Sequence, residues 1–119
     1  MTSSTHEFFD DLDRRKHEPL LERVSATVRF DITDGERTEH YLVRIDHGDI
    51  RVSAENVPAD CVMGGDRPVF DAIVDGRMSP MAALLRGLLA IDGDPELLVL
   101  AQRLVRGTRS EASSRAMPQ

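Results

Sequence analysis

Residues that could do chemistry are few in this 119-residue chain, and they are scattered. Asp46, His47 and Asp49 lie closest together, and carboxylates beside an imidazole are groups that bind metals or transfer protons. The same residues form a tight turn between two predicted strands, and such a turn directs its side chains into water. We therefore interpret them as a solvated turn. The alternative is a small enzyme that acts on a lipid-like substrate and uses these three residues for catalysis.

The single cysteine and a pair of glycines are the other candidates. Cys61 falls on the apolar face of a predicted strand, which is typical of a small core residue rather than a nucleophile. The run Gly64-Gly65-Asp66 precedes a predicted helix and could receive an anion, but it also predicts a turn followed by an N-cap. The sequence contains no nucleophile elbow, phosphate-binding loop, dinucleotide-binding loop or zinc-protease signature. We therefore predict no catalytic residue, no metal and no cofactor, and hence no enzyme.

Composition limits the classes of function that remain. Lys and Arg number 15 against 21 Asp and Glu, so the net charge is −6. This charge argues against a nucleic-acid partner and against adsorption to an anionic membrane by charge alone. No apolar run approaches the ~20 residues of a membrane-spanning helix, so no integral membrane segment is predicted. The polar, acidic N-terminus lacks the apolar region of a signal peptide, and the expected location is the cytoplasm.

Alternation of apolar and polar residues predicts the sheet. Apolar residues occupy every second position from Ala26 to Ile32 and from Tyr41 to Ile45, and the pairs Asp34-Gly35 and His47-Gly48 supply turns. Strands joined by tight turns predict an antiparallel meander with one apolar face. The predicted strands are 26–33, 40–46, 50–53, 59–63 and 88–91.

Helical periodicity predicts the elements that cover this apolar face. The predicted helices span 6–16, a short turn from residue 19, 66–76, 79–87 and 94–107. Prolines near their starts and glycines at their ends mark the boundaries. The fold class is therefore α+β: a five-stranded, antiparallel-rich sheet with helices covering one face. We expect a folded domain over residues 6–107, with disordered segments at 1–5 and 108–119.

Side-chain sizes on the two facing apolar surfaces differ. The inner face of the sheet is predicted to include the small residues Ala26, Ala54, Ala59 and Cys61, whereas the helices supply leucine and methionine side chains. Small residues opposite flexible ones can enclose an apolar hollow. They can equally form a solid core, in which the small residues make room for the leucines.

The order of these segments resembles the sterol carrier protein type-2 family of small lipid-binding domains. The resemblance extends from about Phe8 to Val105. It rests on VSATVRFDITDG (24–35), YLVRIDHGDIRV (41–52), residues 58–66 and 70–98, and on the spacing of Gly76, Pro80, Gly87 and Gly93-Asp94. It implies a five-stranded sheet, helices over one face, an apolar tunnel between them, and no shared catalytic residue.

The function that this resemblance implies is a non-catalytic lipid or sterol carrier. Its partner would be an apolar small molecule such as a fatty acid, sterol, isoprenoid or acyl-CoA. The predicted ligand-binding residues are inward-facing positions of the sheet and helices: Phe30, Val43, Ile45, Phe70, Ile73, Met81, Leu84, Leu85, Leu97 and Leu100. The alternative is an interaction module with a filled core, which forms a homodimer or serves a partner enzyme.

Overall fold

A five-stranded sheet and three α-helices form the part of the chain that the computed structural model describes, which is residues 4–94, 96, 97 and 99. Helix α1 covers Ser4–Arg15, and a short 3-10 turn covers Pro19–Leu21. Helices α2, Arg67–Val74, and α3, Pro80–Leu85, follow the fourth strand along the chain. The strands are β1 Ser25–Asp34, β2 Arg37–Asp46, β3 Asp49–Ser53, β4 Cys61–Asp66 and β5 Leu89–Gly93.

The strands lie in the order β3-β2-β1-β4-β5 across the sheet. The pairs β1–β2, β2–β3 and β4–β5 are antiparallel, and β1–β4 is parallel. Residues 54–60 connect β3, at one edge, to β4 on the far side of β1, so this connection must cross the sheet. The predicted α+β fold with a mostly antiparallel sheet is therefore confirmed, with one parallel pair in addition.

Helices cover the inner face of the sheet. Val28, Phe30 and Ile32 alternate along β1 with more exposed residues, and all three are buried, as the sequence predicts. They belong to one hydrophobic cluster with residues from each helix: Phe8, Phe9 and Leu12 of α1, Phe70 and Ile73 of α2, and Ala83 of α3. This cluster is the core of the domain.

The N-terminal helix begins at Ser4, two residues before the predicted start. Thr5 is only 2 % exposed, and its backbone N–H and its hydroxyl both donate to Oδ1 of Asp71, at 2.9 and 2.6 Å. A carboxylate of α2 thus satisfies a donor at the first turn of α1, where a negative charge is favourable. Ser4 and Thr5 therefore belong to the fold and not to a disordered segment. Residues 1–3 and 108–119 lie outside the described residues, so the other domain boundaries stay predictions.

The glycine pair Gly64-Gly65 lies within β4, so the predicted turn is wrong. A Cβ on Gly65 would lie 3.0 Å from the carbonyl oxygen of Leu88 and 3.4 Å from the ring of Phe70. The glycine thus marks a close approach of other groups to the strand, which is a known reason for glycine inside a sheet. Asp66 takes the predicted N-cap position of α2, although its side chain makes no capping hydrogen bond.

Several other predicted boundaries shift. Strands β4 and β5 extend beyond their predicted C-terminal ends, to residues 66 and 93. Ala54 is exposed beyond the end of β3 and does not line the inner face. The predicted helix 94–107 falls almost entirely outside the described residues, although residues 96, 97 and 99 are helical.

The outer face of the sheet is partly covered, which simple alternation does not predict. Leu42 lies opposite Arg29 on this face and is buried. The connection 54–60 passes over the same face, because Nη1 of Arg29 donates a hydrogen bond to the carbonyl oxygen of Val57 at 2.9 Å. The connection therefore covers the polar groups around Arg29 on this face.

A half-buried polar network lies beneath this connection. Arg29 donates two hydrogen bonds to the carboxylate of Asp31, at 2.9 and 3.0 Å, and Nδ1 of His40 lies 2.8 Å from the same carboxylate. Burial raises the pKa of Asp31, but the hydrogen bonds from Arg29 and His40 outweigh burial, and the pKa lies below its ordinary value. The folded state therefore favours the ionised carboxylate.

We expect Asp31→Asn to lower the free energy of unfolding at neutral pH by about 1–3 kcal/mol, because charge-assisted hydrogen bonds are lost. The pKa of Asp31 is lower in the folded than in the unfolded chain. The ionised Asp31 carboxylate therefore makes its full contribution to the free energy of unfolding above the unfolded-state pKa of about 4. This contribution disappears as the pH falls through the folded-state pKa. Urea unfolding at several pH values measures this. Exposed Asp92 provides the control Asp92→Asn, and an Asp31→Asn deficit that persists unchanged in acid would contradict the account.

Candidate functional site

The apolar interior contains most of the predicted ligand-binding residues. Six of the ten are buried in the core cluster: Phe30, Val43, Ile45, Phe70, Ile73 and Leu97. Leu84 is partly buried and packs against that cluster. Burial is required both of a core residue and of a ligand contact, so ligand contact at these positions stays a prediction.

Three of the ten predicted positions differ from the others. Leu85 is 79 % exposed and Met81 is 39 % exposed, so the prediction that they face inward is wrong. Helix α3 has only six residues, and its inner side is taken by Ala83 and Leu84. Leu100 lies outside the described residues.

Aromatic rings fill one side of the interior. The five aromatic residues of the chain form one connected series of ring contacts. Phe9 stacks on Tyr41 with ring centroids 4.2 Å apart, and Phe30 meets Phe70 edge to face at 6.2 Å. Such contacts have defined geometry, so they fix α1 and α2 against β1 and β2.

Aliphatic side chains predominate on the other side of the interior, although the ring of Phe70 reaches Gly65 at its border. Helix α3 and strands β4 and β5 contain no aromatic residue. The buried or partly buried residues there are Cys61, Met63, Ala83, Leu84, Leu89 and Ile91. Flexible and small aliphatic groups can rearrange around a guest at lower cost than interlocked rings. This side of the interior is therefore the candidate site for an apolar ligand.

The polar candidates do not converge on a common point. Nδ1 of His47 lies 2.7 Å from Asp46, whereas Asp49 contacts Nδ1 of His17 at 2.8 Å, and all four side chains are exposed. The hydrogen bond to Asp49 raises the pKa of His17. Asp46 and His47 therefore contact each other in solvent, whereas Asp49 contacts His17 instead. Across residues 4–94, 96, 97 and 99, no group of three His, Cys, Asp or Glu residues could hold a metal ion.

An open groove of ≈ 730 Å³ runs along β3 at the surface. Of its lining, only Asp46 and Asp49 are among the residues that the sequence indicates as candidates for chemistry. The full lining is Asp13, Lys16, Arg44, Asp46, Asp49, Ile50, Arg51 and Val52. Its basic and acidic residues balance, so the groove favours neither an anion nor a cation. Asp13 already accepts a hydrogen bond from the N–H of Val52 at 3.3 Å, and Arg44 donates to Glu55 at 3.0 Å. This polar groove is not the predicted apolar hollow.

The cysteine is part of the core, as predicted. Cys61 is 0 % exposed. Burial raises the pKa of its thiol, and the nearby carboxylates of Asp94 and Asp92 add to the increase. A thiol is nucleophilic only as the thiolate, so this environment is the opposite of what nucleophilic catalysis needs.

Comparison with known proteins fits the fold and this apolar interior. A sequence model of the SCP-2 sterol transfer family matches residues 8–106. The chain belongs to this family. Among solved structures, it is similar to the apo form of Sterol Carrier Protein 2 from Yarrowia lipolytica, with a TM-score of 0.72 and 16 % identity over 87 % of this chain and 90 % of that chain.

Two further solved structures are similar to this chain: a complex with a fatty acid and a variant of an enzyme. Sterol Carrier Protein-2 from Aedes aegypti, in complex with the C16 fatty acid palmitate, has a TM-score of 0.70 and 19 % identity over 88 % of this chain and 96 % of that chain. A double mutant of the sec-alkyl sulfatase PisA1 has a TM-score of 0.64 and 19 % identity over 76 % of this chain but only 14 % of that chain. The second likeness therefore concerns one part of a much longer enzyme. Within the described part of the SCP-2 family chain, no helix has the length and apolarity that crossing a bilayer requires.

We expect the Cys61 thiol to react slowly with a disulfide reagent in the native protein and rapidly after unfolding. The reason is that the folded state both shields the sulfur and disfavours the thiolate. Spectrophotometric titration with dithionitrobenzoate, with and without urea, measures both rates. Fast labelling under native conditions would reopen the possibility of a reactive cysteine.

Proposed function

We propose that this SCP-2 family chain is a non-catalytic carrier that holds an apolar lipid between the inner face of its sheet and its helices. The observation that carries the proposal is the family match over residues 8–106. The similar Aedes aegypti protein was solved in complex with palmitate, which supports a fatty acid as the first ligand to test. A sterol or an isoprenoid is similarly apolar and is the next choice, whereas an acyl-CoA adds a polyanionic group that the net charge of −6 disfavours.

The aliphatic side of the interior is our proposed position for this ligand. Ile73 of α2 and Met63 and Leu89 of the sheet belong to one hydrophobic cluster, and Leu84 of α3 packs against that cluster. A hydrocarbon chain would displace only flexible side chains there, whereas on the other side it would have to separate stacked rings such as Phe9 and Tyr41. The aromatic contacts would thus keep α1 and α2 in place on the sheet while the aliphatic side chains rearrange around the ligand.

Hydrophobic transfer supplies the free energy of binding in this proposal. Each buried methylene contributes about 0.8 kcal/mol, so a dozen of them contribute about 10 kcal/mol before the cost of lost motion. That cost is at least about 4 kcal/mol, which leaves about 6 kcal/mol or less and a dissociation constant of some tens of micromolar or weaker. Such affinity suits a carrier that must also release its ligand. Selectivity for chain length would be low, because one methylene changes affinity little.

The proposal needs no catalytic group, and the polar candidates support that. Asp46 and His47 form an exposed pair, Asp49 contacts His17 instead of joining them, and Cys61 is buried with a raised pKa. Binding and release of an unchanged lipid require only an apolar site and access to it. We expect the protein to do this in the cytoplasm, as the composition predicts.

An accessory interaction module is the second candidate. The likeness to part of a sec-alkyl sulfatase favours it, because there the same fold occurs within a longer enzyme. A chain of this kind would have a filled core and would act through its surface. Sedimentation velocity at several concentrations, together with the lipid-binding assay below, separates the two functions.

We expect Leu84→Trp to weaken palmitate binding by about tenfold or more, because the indole would occupy space that several ligand methylenes need. The neighbouring variant Leu85→Trp is the matched control, since the same change at a 79 % exposed position leaves the interior untouched. Displacement of a fluorescent fatty acid measures the affinity of each protein.

Thermal melting of both variants, with and without palmitate, completes this test. A carrier should melt at a higher temperature with palmitate, and Leu84→Trp should lose that increase while its own melting temperature changes little. In a solid core the same indole would cost about 1–3 kcal/mol of stability through overpacking. That cost, combined with no palmitate binding by the natural chain, would reject the carrier function.

A further inference from the structure

The chain that follows α1 forms a short antiparallel bridge with the outer edge of β3. His17 lies opposite Asp49 in this bridge. The N–H of Ile50 donates to the carbonyl oxygen of Lys16 at 2.7 Å, and the N–H of Glu18 donates to a carbonyl oxygen of the β2–β3 turn at 2.8 Å. We call this contact, of residues 16–18 with residues 48–50, the α1 latch. It covers part of an edge strand, whose N–H groups would otherwise be open to another chain.

Unfavourable backbone conformations are concentrated at the α1 latch. Lys16 has a φ of 63° and His47 has a φ of 51°, and no other non-glycine residue in the described part of the chain has a positive φ. Lys16 occupies the left-handed position after a helix, where glycine is usual. A residue with a side chain keeps such a conformation only when its surroundings enforce it. Strain at Lys16 therefore favours release of the α1 latch, and the contacts across the latch must outweigh this strain.

Two carboxylates face the imidazole of His17. Nδ1 lies 2.8 Å from Oδ1 of Asp49, and Nε2 lies 3.9 Å from Oε1 of Glu22. An imidazolium carries a proton on both nitrogens, whereas a neutral ring carries only one and has no charge. The hydrogen bond to Asp49 raises the pKa of His17, and the attraction of both carboxylates adds to the increase. The folded state therefore favours the imidazolium.

The elements that meet at the α1 latch carry further charges. They are Asp13 and Arg15 of α1, Lys16, Glu18, Glu22 and Arg23 of the segment that follows, and Asp46, His47, Asp49 and Arg51 of the β2–β3 turn and its strands. Arg15 lies 3.6 Å from Glu18, and His47 lies 2.7 Å from Asp46. Asp13 accepts a hydrogen bond from the edge of β3. The charges that act on the His17 ring are those of Asp49 and Glu22, and both are negative.

We propose that the α1 latch is sensitive to pH: the imidazolium of His17 holds the end of α1 on the edge of β3, and its deprotonation loosens this attachment. The pKa of His17 is higher in the folded than in the unfolded chain. Its contribution is therefore complete below the unfolded-state pKa of about 6.5 and disappears as the pH rises through the folded-state pKa. Release would uncover the N–H of Ile50 for pairing with another chain. The latch does not depend on the proposed ligand, and no lipid is needed to test it.

Amide hydrogen exchange of the full chain, followed by NMR between about pH 5.5 and about pH 8, tests the α1 latch. The amides of Glu18 and Ile50 report on it directly, because each donates one of its hydrogen bonds. Val43, opposite Val28 in the middle of the sheet, reports on global unfolding. As the pH rises, the protection of Glu18 and Ile50 should fall by about two- to fivefold relative to Val43, the range for one exposed ion pair. The midpoint should coincide with the titration of the His17 ring protons.

His17→Asn is the test variant, and His47→Asn is the matched control. Asparagine can still donate a hydrogen bond to Asp49 but carries no charge, so His17→Asn should abolish the pH dependence of protection. His47 is also an exposed histidine beside a carboxylate, and asparagine tolerates its positive φ, so His47→Asn should retain the pH dependence. Loss of the pH dependence in both variants or in neither would overturn the proposal. Protection of Glu18 and Ile50 that follows Val43 at every pH would also overturn it.

Proteolysis provides an independent measurement, because Lys16 is the only lysine of the chain. A lysine-specific protease therefore cleaves the full chain at one peptide bond, between Lys16 and His17, and cleavage requires that this segment leave β3. A synthetic peptide of residues 10–24 corrects for the pH dependence of the protease itself. The corrected cleavage rate should rise by about two- to fivefold between about pH 6 and about pH 8. A corrected rate that stays constant, or that rises equally in His17→Asn, would contradict a latch controlled by His17.

Discussion

The sheet has one apolar face that must be covered, and the rest of the structure depends on how the helices cover it. Alternate positions of β1 and β2 place Val28, Phe30, Val43 and Ile45 on that face, and water cannot be allowed to reach them. In the described residues the cover consists of α1, which precedes the sheet in the chain, and of α2 and α3, which lie between β4 and β5. Because these helices are short, most of their stability comes from packing against the sheet rather than from the helices themselves. Any space for a guest must lie at this boundary.

The two sides of the cover are attached differently. The end of α1 is tied to the sheet edge by backbone hydrogen bonds, in which the N–H of Ile50 donates to Lys16 at 2.7 Å and the N–H of Glu18 donates to Gly48 at 2.8 Å. The stacked rings of Phe9 and Tyr41 add to this attachment. Helix α3 has only six residues, and it is attached to the sheet through aliphatic packing. A domain built this way has a firm side and an adaptable side, which is a useful combination in a carrier of flexible ligands.

Much of this fold follows from the sequence, and the errors have identifiable physical causes. Alternation along β1 and β2 predicts the buried face correctly because successive side chains of a strand point to opposite faces of the sheet, so the apolar positions specify which face is buried. Gly64-Gly65 misled the prediction because glycine is common in turns, whereas here it admits the backbone near Leu88 against β4. The hydrogen bond from Arg29 to Val57 joins residues 28 positions apart, and no local pattern encodes a contact between segments so far apart.

The candidate site was predictable as a set of buried residues but not as a cavity. Leu84 and Leu85 have the same chemistry, but Leu84 packs against the core and Leu85 is exposed to solvent. The difference depends on how the short helix α3 lies on the sheet, which the residue types do not indicate. Periodicity gives the face of a long helix well, but a helix of six residues offers too few turns for the pattern to be decisive. Whether side chains fill a space completely depends on their packing, which composition does not determine.

The central claim is that an apolar ligand lies between the sheet and the helices, on their aliphatic side. Nuclear Overhauser effects between isotope-labelled palmitate and the methyl groups of the protein test it most directly. The account predicts contacts from the acyl chain to the methyl groups of Leu84 and Ile73. An acyl chain that contacts only surface methyl groups such as those of Leu85, or that makes no contact at saturating concentration, would contradict it.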